Sequence, residues 1–153
     1  MDLRLYHNSH EFYYRSSFGA VPSGSRLILR LRASGSDAGN CRARIRLWQS
    51  NVGESFVPMS YEDGIFTGIV TIPPKGCLLW YYFIIDDGHR TFYYGNNYDR
   101  LGGEGAKYPD MPPAYQVTVY DKDAHTPDWF KHAIVYQIFP DRFRHGTHTS
   151  GRL

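Results

Sequence analysis

Up to about residue 120 the chain alternates between apolar and polar positions with a period of two. In residues 26–32, Arg-Leu-Ile-Leu-Arg-Leu-Arg, every second residue is Leu and most of the others are Arg. That pattern predicts a half-buried strand. Residues 41–48, Cys-Arg-Ala-Arg-Ile-Arg-Leu-Trp, repeat it with Cys41, Ala43, Ile45 and Leu47 on the inward face. A Ser/Gly/Asp-rich stretch between the two reads as a loop. Residues 56–61 and 65–72 flank Glu62-Asp63-Gly64, where Asp-Gly supplies the positive φ of a tight hairpin. Residues 77–86 are apolar at nearly every position, which predicts a central strand covered on both faces. Strands over 11–18, 90–94 and 114–120 complete about eight. This spacing of short strands and turns predicts an all-β fold, an antiparallel immunoglobulin-like β-sandwich over residues 1–120.

After Tyr120 the character changes. Residues 121–128 are polar and contain Pro127, a linker composition. Beyond it one isolated strand is predicted over 134–139, followed by a polar tail.

Composition sharpens this picture in one respect. Thirteen Tyr, nine Phe and three Trp exceed the needs of a small core and suit a contact face as well as strands. The net charge of +2 gives no argument for nucleic acid, and no apolar run reaches the ~20 residues of a membrane span. The N-terminus lacks a signal-peptide pattern and there are two cysteines, so a cytoplasmic protein with reduced thiols is expected.

Residues 127–143 read Pro-Asp-Trp-Phe-Lys-His-Ala-Ile-Val-Tyr-Gln-Ile-Phe-Pro-Asp-Arg-Phe. Pro127, Trp129 and the run Tyr136, Gln137, Ile138, Phe139, Pro140, Asp141, Arg142, Phe143 closely resemble the entry to the catalytic barrel of glycoside hydrolase family 13, the α-amylase family. The neopullulanase, cyclomaltodextrinase and maltogenic-amylase branch carries a β-sandwich before this junction, a carbohydrate-binding module of family 34, and residues 11–120 are similar to it in strand pattern and position. The resemblance implies that residues 129–153 begin a (β/α)₈ barrel whose remainder, and whose catalytic carboxylates, lie outside this chain. No catalytic residue and no cofactor is therefore expected here; the partners it implies are that barrel, a second copy of the chain and α-glucan or maltooligosaccharide. Relatives place Asn-Gly-Asp shortly after the Arg-Phe, with oxygens that help hold calcium. His145 and Thr147 stand at the Asn and Asp positions here, a departure from the hard oxygen set calcium prefers.

Candidate sugar contacts are Trp48, Asn96, Asn97, Tyr98, Asp99 and Arg100. Trp48 shares the outward face of Arg42, Arg44 and Arg46, where an indole can stack on a pyranose ring; packing under a loop or against another domain is the alternative. The 95–100 segment mixes amides, a carboxylate and a phenol, the chemistry of sugar recognition, and equally that of a solvated turn. The Arg stripe reads as a solvated sheet face rather than a polyanion site. His145-x-x-His148 has no supporting ligands nearby and reads as part of the tail.

Overall fold

The computed structural model describes residues 3–36 and 38–139. The chain divides into two compact units, Met1–Asp123 and Ala124–Leu153.

The first unit is a sandwich of two sheets. One has the order β1-β3-β7-β6, formed by β1 (Arg4–Tyr6), β3 (Arg26–Ser34), β6 (Ser60–Glu62) and β7 (Ile65–Thr71). The other is built around β8 (Cys77–Asp86). Its residues 79–86 pair on one side with β4 (Arg42–Gln49), which pairs in turn with β5 (Gly53–Pro58). On the other side the C-terminal half of β8 pairs with β9 (Thr91–Gly95) and the N-terminal half with β11 (Tyr115–Tyr120). Short β10 (Ala106–Tyr108) extends β9, and β2 (Val21–Pro22) pairs with β11 as the one parallel ladder among the described strands.

The alternation in the sequence explains which face each strand buries. Leu27, Leu29, Leu31 and Ala33 of β3 point into the interior with Phe66 and Val70 of β7. Across from them lie Ala43 and Ile45 of β4 and Leu79, Tyr81, Phe83 and Ile85 of β8. Each such Leu, Ile, Val or Phe side chain contributes about 1.5–3 kcal/mol of burial. The sheets pack tightly at Gly68, where a Cβ would lie 2.5 Å from Ile45 Cδ1. Cys41 is buried and Cys77 half-buried.

The Asp-Gly turn forms as predicted, with Asp63 at φ 46° and Gly64 at φ 81°. At the β8–β9 turn Asp86 Oδ1 accepts from Gly88 N, and Asp87 Oδ1 accepts from His89 N and Arg90 N. Those backbone donors, Arg90 first, hold the Asp87 carboxyl below the usual carboxylate range.

Three expectations need correction. Residues 56–61 are not one strand: the chain leaves one sheet after Pro58 and enters the other at Ser60. Met59 makes the crossing, its N–H held by the Ala43 carbonyl at 3.1 Å. Residues 11–18 form turns that meet β3 at an isolated bridge, Arg15 to Leu29, and through the Ser16 hydroxyl, which accepts Ile28 N at 2.9 Å. The Glu11 carbonyl there accepts both Tyr14 N and Arg15 N at 3.0 Å, closing a tight turn that removes the strand geometry.

The third correction falls in the second unit. Residues 133–139 adopt no regular structure, and Ile134 is 97% exposed. A strand exists only by pairing, and this segment has no ladder. Before it, α1 (Asp128–Lys131) is a single turn in which the Pro127 carbonyl accepts Phe130 N and Lys131 N, and Lys131 Nζ donates to Asp128 Oδ1 at 2.8 Å. Trp129 and Phe130 make an edge contact and both stay exposed. Tyr136, Gln137, Ile138 and Phe139 are exposed as well. Pro140, Asp141, Arg142 and Phe143, together with His145, Thr147 and His148, lie outside the described residues.

Candidate functional site

The site rests on a polar core at one end of the sandwich. His7, fully buried, packs edge-on against Tyr14, Tyr81, Phe83 and Tyr115. Its Nδ1 lies 2.7 Å from the Arg30 carbonyl, which can only accept, so Nδ1 carries the proton. Nε2 then accepts from the Tyr81 hydroxyl at 3.0 Å. Burial draws the His7 pKa down to about 4, against the raising effect of the Arg30 carbonyl, and leaves the imidazole neutral. The same burial pushes Tyr94 up to about 12 and raises Tyr81 and Tyr115 further. These phenols are neutral hydrogen-bonding groups: Tyr94 donates to the His7 carbonyl at 3.1 Å, and Tyr108 to the Asn96 carbonyl at 2.7 Å.

That core anchors the loop between β9 and β10. Asn96 is buried, and its Oδ1 accepts both Asn97 N and Gly102 N at 3.0 Å. Asn97 Nδ2 donates to the Gly102 carbonyl at 2.6 Å, and its Oδ1 accepts Leu101 N at 3.2 Å. Asn96 Nδ2 donates to the Ala114 carbonyl at 3.4 Å, so the two amides spend their polar atoms on the loop and on the segment leading into β11. Tyr98 stands out from the loop, exposed, with its ring 5.3 Å from that of Tyr108. Asp99 is exposed. Arg100 takes a left-handed conformation, φ 59°, and its N–H is held by the Asn97 carbonyl.

Between this loop, the turns of residues 9–20 and the outer face of β8 and β11 lies an open cleft of about 770 Å³. The loop contributes Asn96, Arg100 and Leu101, and the turns contribute His10, Arg15 and Phe18. Trp80 of β8 and Gln116 and Thr118 of β11 form part of the wall. Of the six sequence candidates, Asn96 and Arg100 reach the cleft; Asn97, Tyr98 and Asp99 belong to the same loop outside its lining.

Trp48 also lies outside the cleft lining, yet the register connects it. Glu54 of β5 pairs with Trp48, Trp48 with Trp80, and Trp80 with Gln116. Cross-strand partners share a face. A carboxylate, two indoles and an amide thus stand in one row across four strands, roughly 14 Å long at the usual strand spacing. The indole centroids are 5.2 Å apart with their planes tilted by 58°. Trp48 remains 36% exposed. Arg46 Nε donates to Glu54 Oε1, and its guanidinium lies 5.2 Å from the Tyr82 ring centroid, covering a phenol that is only 5% exposed. Arg44 similarly lies over Phe56.

The row was not visible in the sequence because it depends on register; Trp80 sits in a strand apolar on both faces, where nothing local marks it. Arg15 carried no local signal either. Among the described residues no group of His, Cys, Asp and Glu is arranged to hold a metal ion, and no helix is long and apolar enough to cross a membrane.

Fold and site define a β-sandwich domain with an aromatic, hydrogen-bonding row leading into a cleft. Among curated proteins, the chain is 39% identical over 153 residues to an amylopullulanase of Thermoanaerobacterium thermosulfurigenes, covering 93% of this chain and 8% of that protein. It is 38% identical over 152 residues to an amylopullulanase of Thermoanaerobacterium saccharolyticum, covering 93% of this chain and 12% of that protein. A third amylopullulanase, from Thermoanaerobacter thermohydrosulfuricus, is 36% identical over 161 residues, covering 99% of this chain and 10% of that protein. The chain is thus a homologue of a segment of amylopullulanases, spanning about a tenth of their length. No family model matches it.

Proposed function

We propose that this chain is a non-catalytic accessory domain of an α-glucan-degrading glycosidase of family 13, and that its tryptophan row holds a maltooligosaccharide. The observation that carries the reading is the Glu54–Trp48–Trp80–Gln116 row, found in a homologue of amylopullulanases. Indoles offer stacking faces to the C–H side of a pyranose, and the flanking carboxylate and amide match hydroxyl groups. The tilt supports an α-glucan. Two planes inclined at 58° follow a curling α-linked chain, whereas a flat β-linked ribbon needs coplanar rings. Hydrolysis belongs elsewhere in the parent: a glycosidase brings two carboxylates to within about 5–9.5 Å of each other across the scissile bond. The cleft lining holds no Asp or Glu among the described residues. The neopullulanase-type parent, contacts with its barrel or with a second copy, and a cytoplasmic location are parts of the same proposal that rest on the sequence resemblance.

Calorimetric titration with maltoheptaose of the wild type, Trp48→Ala and Trp80→Ala tests the row. Both side chains lie on the outer face, so the fold should persist, as checked by far-UV circular dichroism. Each substitution is expected to weaken binding about tenfold, the equivalent of one lost stacking contact. Unchanged affinity in both variants would move the glucan to another surface.

A further inference from the structure

The cleft beside Trp80 has a charge pattern that a neutral glucan does not use. Its lining carries Arg15, Arg100 and His10 and, among the described residues, no carboxylate. Surface arginines are ordinarily solvated, and then such a count means little. Arg15 is different. It is only 7% exposed, and its guanidinium reaches two backbone carbonyls, Gly19 at 2.7 Å and Gln116 at 3.3 Å. Its Nε has no hydrogen-bond partner among the described residues. A buried cation is costly unless an opposite charge accompanies it, and carbonyl dipoles offset that cost only in part.

Geometry brings the second cation to the same space. The Asn96 and Asn97 side chains fix the backbone from Asn97 to Gly102, and the left-handed turn at Arg100 sets that residue on the cleft wall. His10 faces Gly102 from the other side: a Cβ placed on that glycine would lie 2.9 Å from His10 Nε2. Phe18, in edge contact with His10, and Trp80 supply apolar surface beside these donors. Arginine forks match the paired oxygens of phosphate and carboxylate.

We propose that this cleft binds an oxyanion, phosphate or carboxylate, on a small molecule whose apolar face rests against Trp80. A sugar phosphate or uronate meets this description, and a free inorganic anion shares its charged part. The inference goes beyond glucan binding on the tryptophan row and can fail while that reading stands.

The test is titration of the full chain, followed by amide and side-chain NMR shifts, with glucose 6-phosphate, glucuronate, inorganic phosphate and glucose. Glucose 6-phosphate and glucuronate are expected to bind at least about tenfold more tightly than glucose, shifting Arg100, Gln116 and the Trp80 indole. Inorganic phosphate as tight as the sugar phosphate would keep the oxyanion site and remove the role of Trp80. Arg15→Ala endangers the fold because its guanidinium ties two carbonyls, so Arg100→Gln and His10→Gln serve as variants. Each should lower glucose 6-phosphate affinity several-fold, and His10→Gln should leave maltoheptaose binding unchanged. Equal affinity for glucose and glucose 6-phosphate, or charged-ligand binding untouched by both variants, would overturn the proposal.

Discussion

Replacing Gly105 with alanine is expected to destabilise the sandwich unit by about 3 kcal/mol, toward the upper end for overpacking a closed site. Gly105 lies where the β9–β10 loop presses on the tyrosine core, and its N–H donates to the His7 carbonyl at 3.1 Å. A Cβ there would fall onto the Gly95 carbonyl oxygen and the Tyr115 hydroxyl, with Tyr94 Cε1 at 2.7 Å. Two of those neighbours belong to rings packed in the core and the other is backbone, so none can rotate aside. The loop must lift, and Asn96 and Arg100 move with it. Thermal unfolding should show a midpoint lower by roughly 10 °C. A midpoint within a degree of wild type would mean that the loop is not clamped as described.

Acidification from pH 6.5 to pH 4 is expected to remove about 3 kcal/mol of stability through His7 alone, taking a shift from 6.5 to about 4. Burial lowers the folded-state pKa, so between those values the unfolded chain binds a proton that the folded chain refuses. The stabilising contribution is complete above pH 6.5 and declines as pH falls toward 4. Asp87, also depressed, acts in a lower window, below its ordinary value of 3.8, and does not confuse the result. Urea unfolding at pH 7, 5.5 and 4 measures the slope. His7→Gln should start less stable at pH 7, having lost the packed ring, and should lose most of the slope. A variant that keeps the wild-type slope would assign it to another group.

What the sequence made legible was what alternation and turn chemistry control locally. β3 and β4 were readable because each buries alternate residues along a continuous run, β8 because its run is apolar at nearly every position, and the Asp63-Gly64 turn because its backbone demands residues of that kind. Residues 11–18 misled because Phe12, Tyr13 and Phe18 look like strand residues. In the structure all three are exposed, Phe12 and Tyr13 on the turn closed by the Glu11 carbonyl and Phe18 in the bends that follow it. Residues 134–139 misled for a complementary reason: their apolar character is intrinsic, but a strand requires a neighbour. The candidate site divided in the same way. Trp48 was recognisable as an outward indole on a strand of inward aliphatics. Its partner Trp80 and the terminal groups Glu54 and Gln116 become a row only through long-range register. The amides of Asn96 and Asn97 had the composition of a sugar site, and the structure commits their polar atoms to backbone groups of the loop and of Ala114. Arg15 draws its significance entirely from burial, which no local pattern encodes.

The central claim is that the outer face of this sandwich holds a curved α-glucan. Parallel calorimetric titrations of the unmodified chain with maltoheptaose and with cellohexaose test it most directly. Maltoheptaose should bind with a dissociation constant of about a millimolar or somewhat below, since two stacked rings leave little surplus over the cost of association. Cellohexaose, equally rich in hydroxyls but flat, should bind at least about tenfold more weakly. A flat trace with maltoheptaose at millimolar concentration, or equal affinity for the two oligosaccharides, would contradict the account.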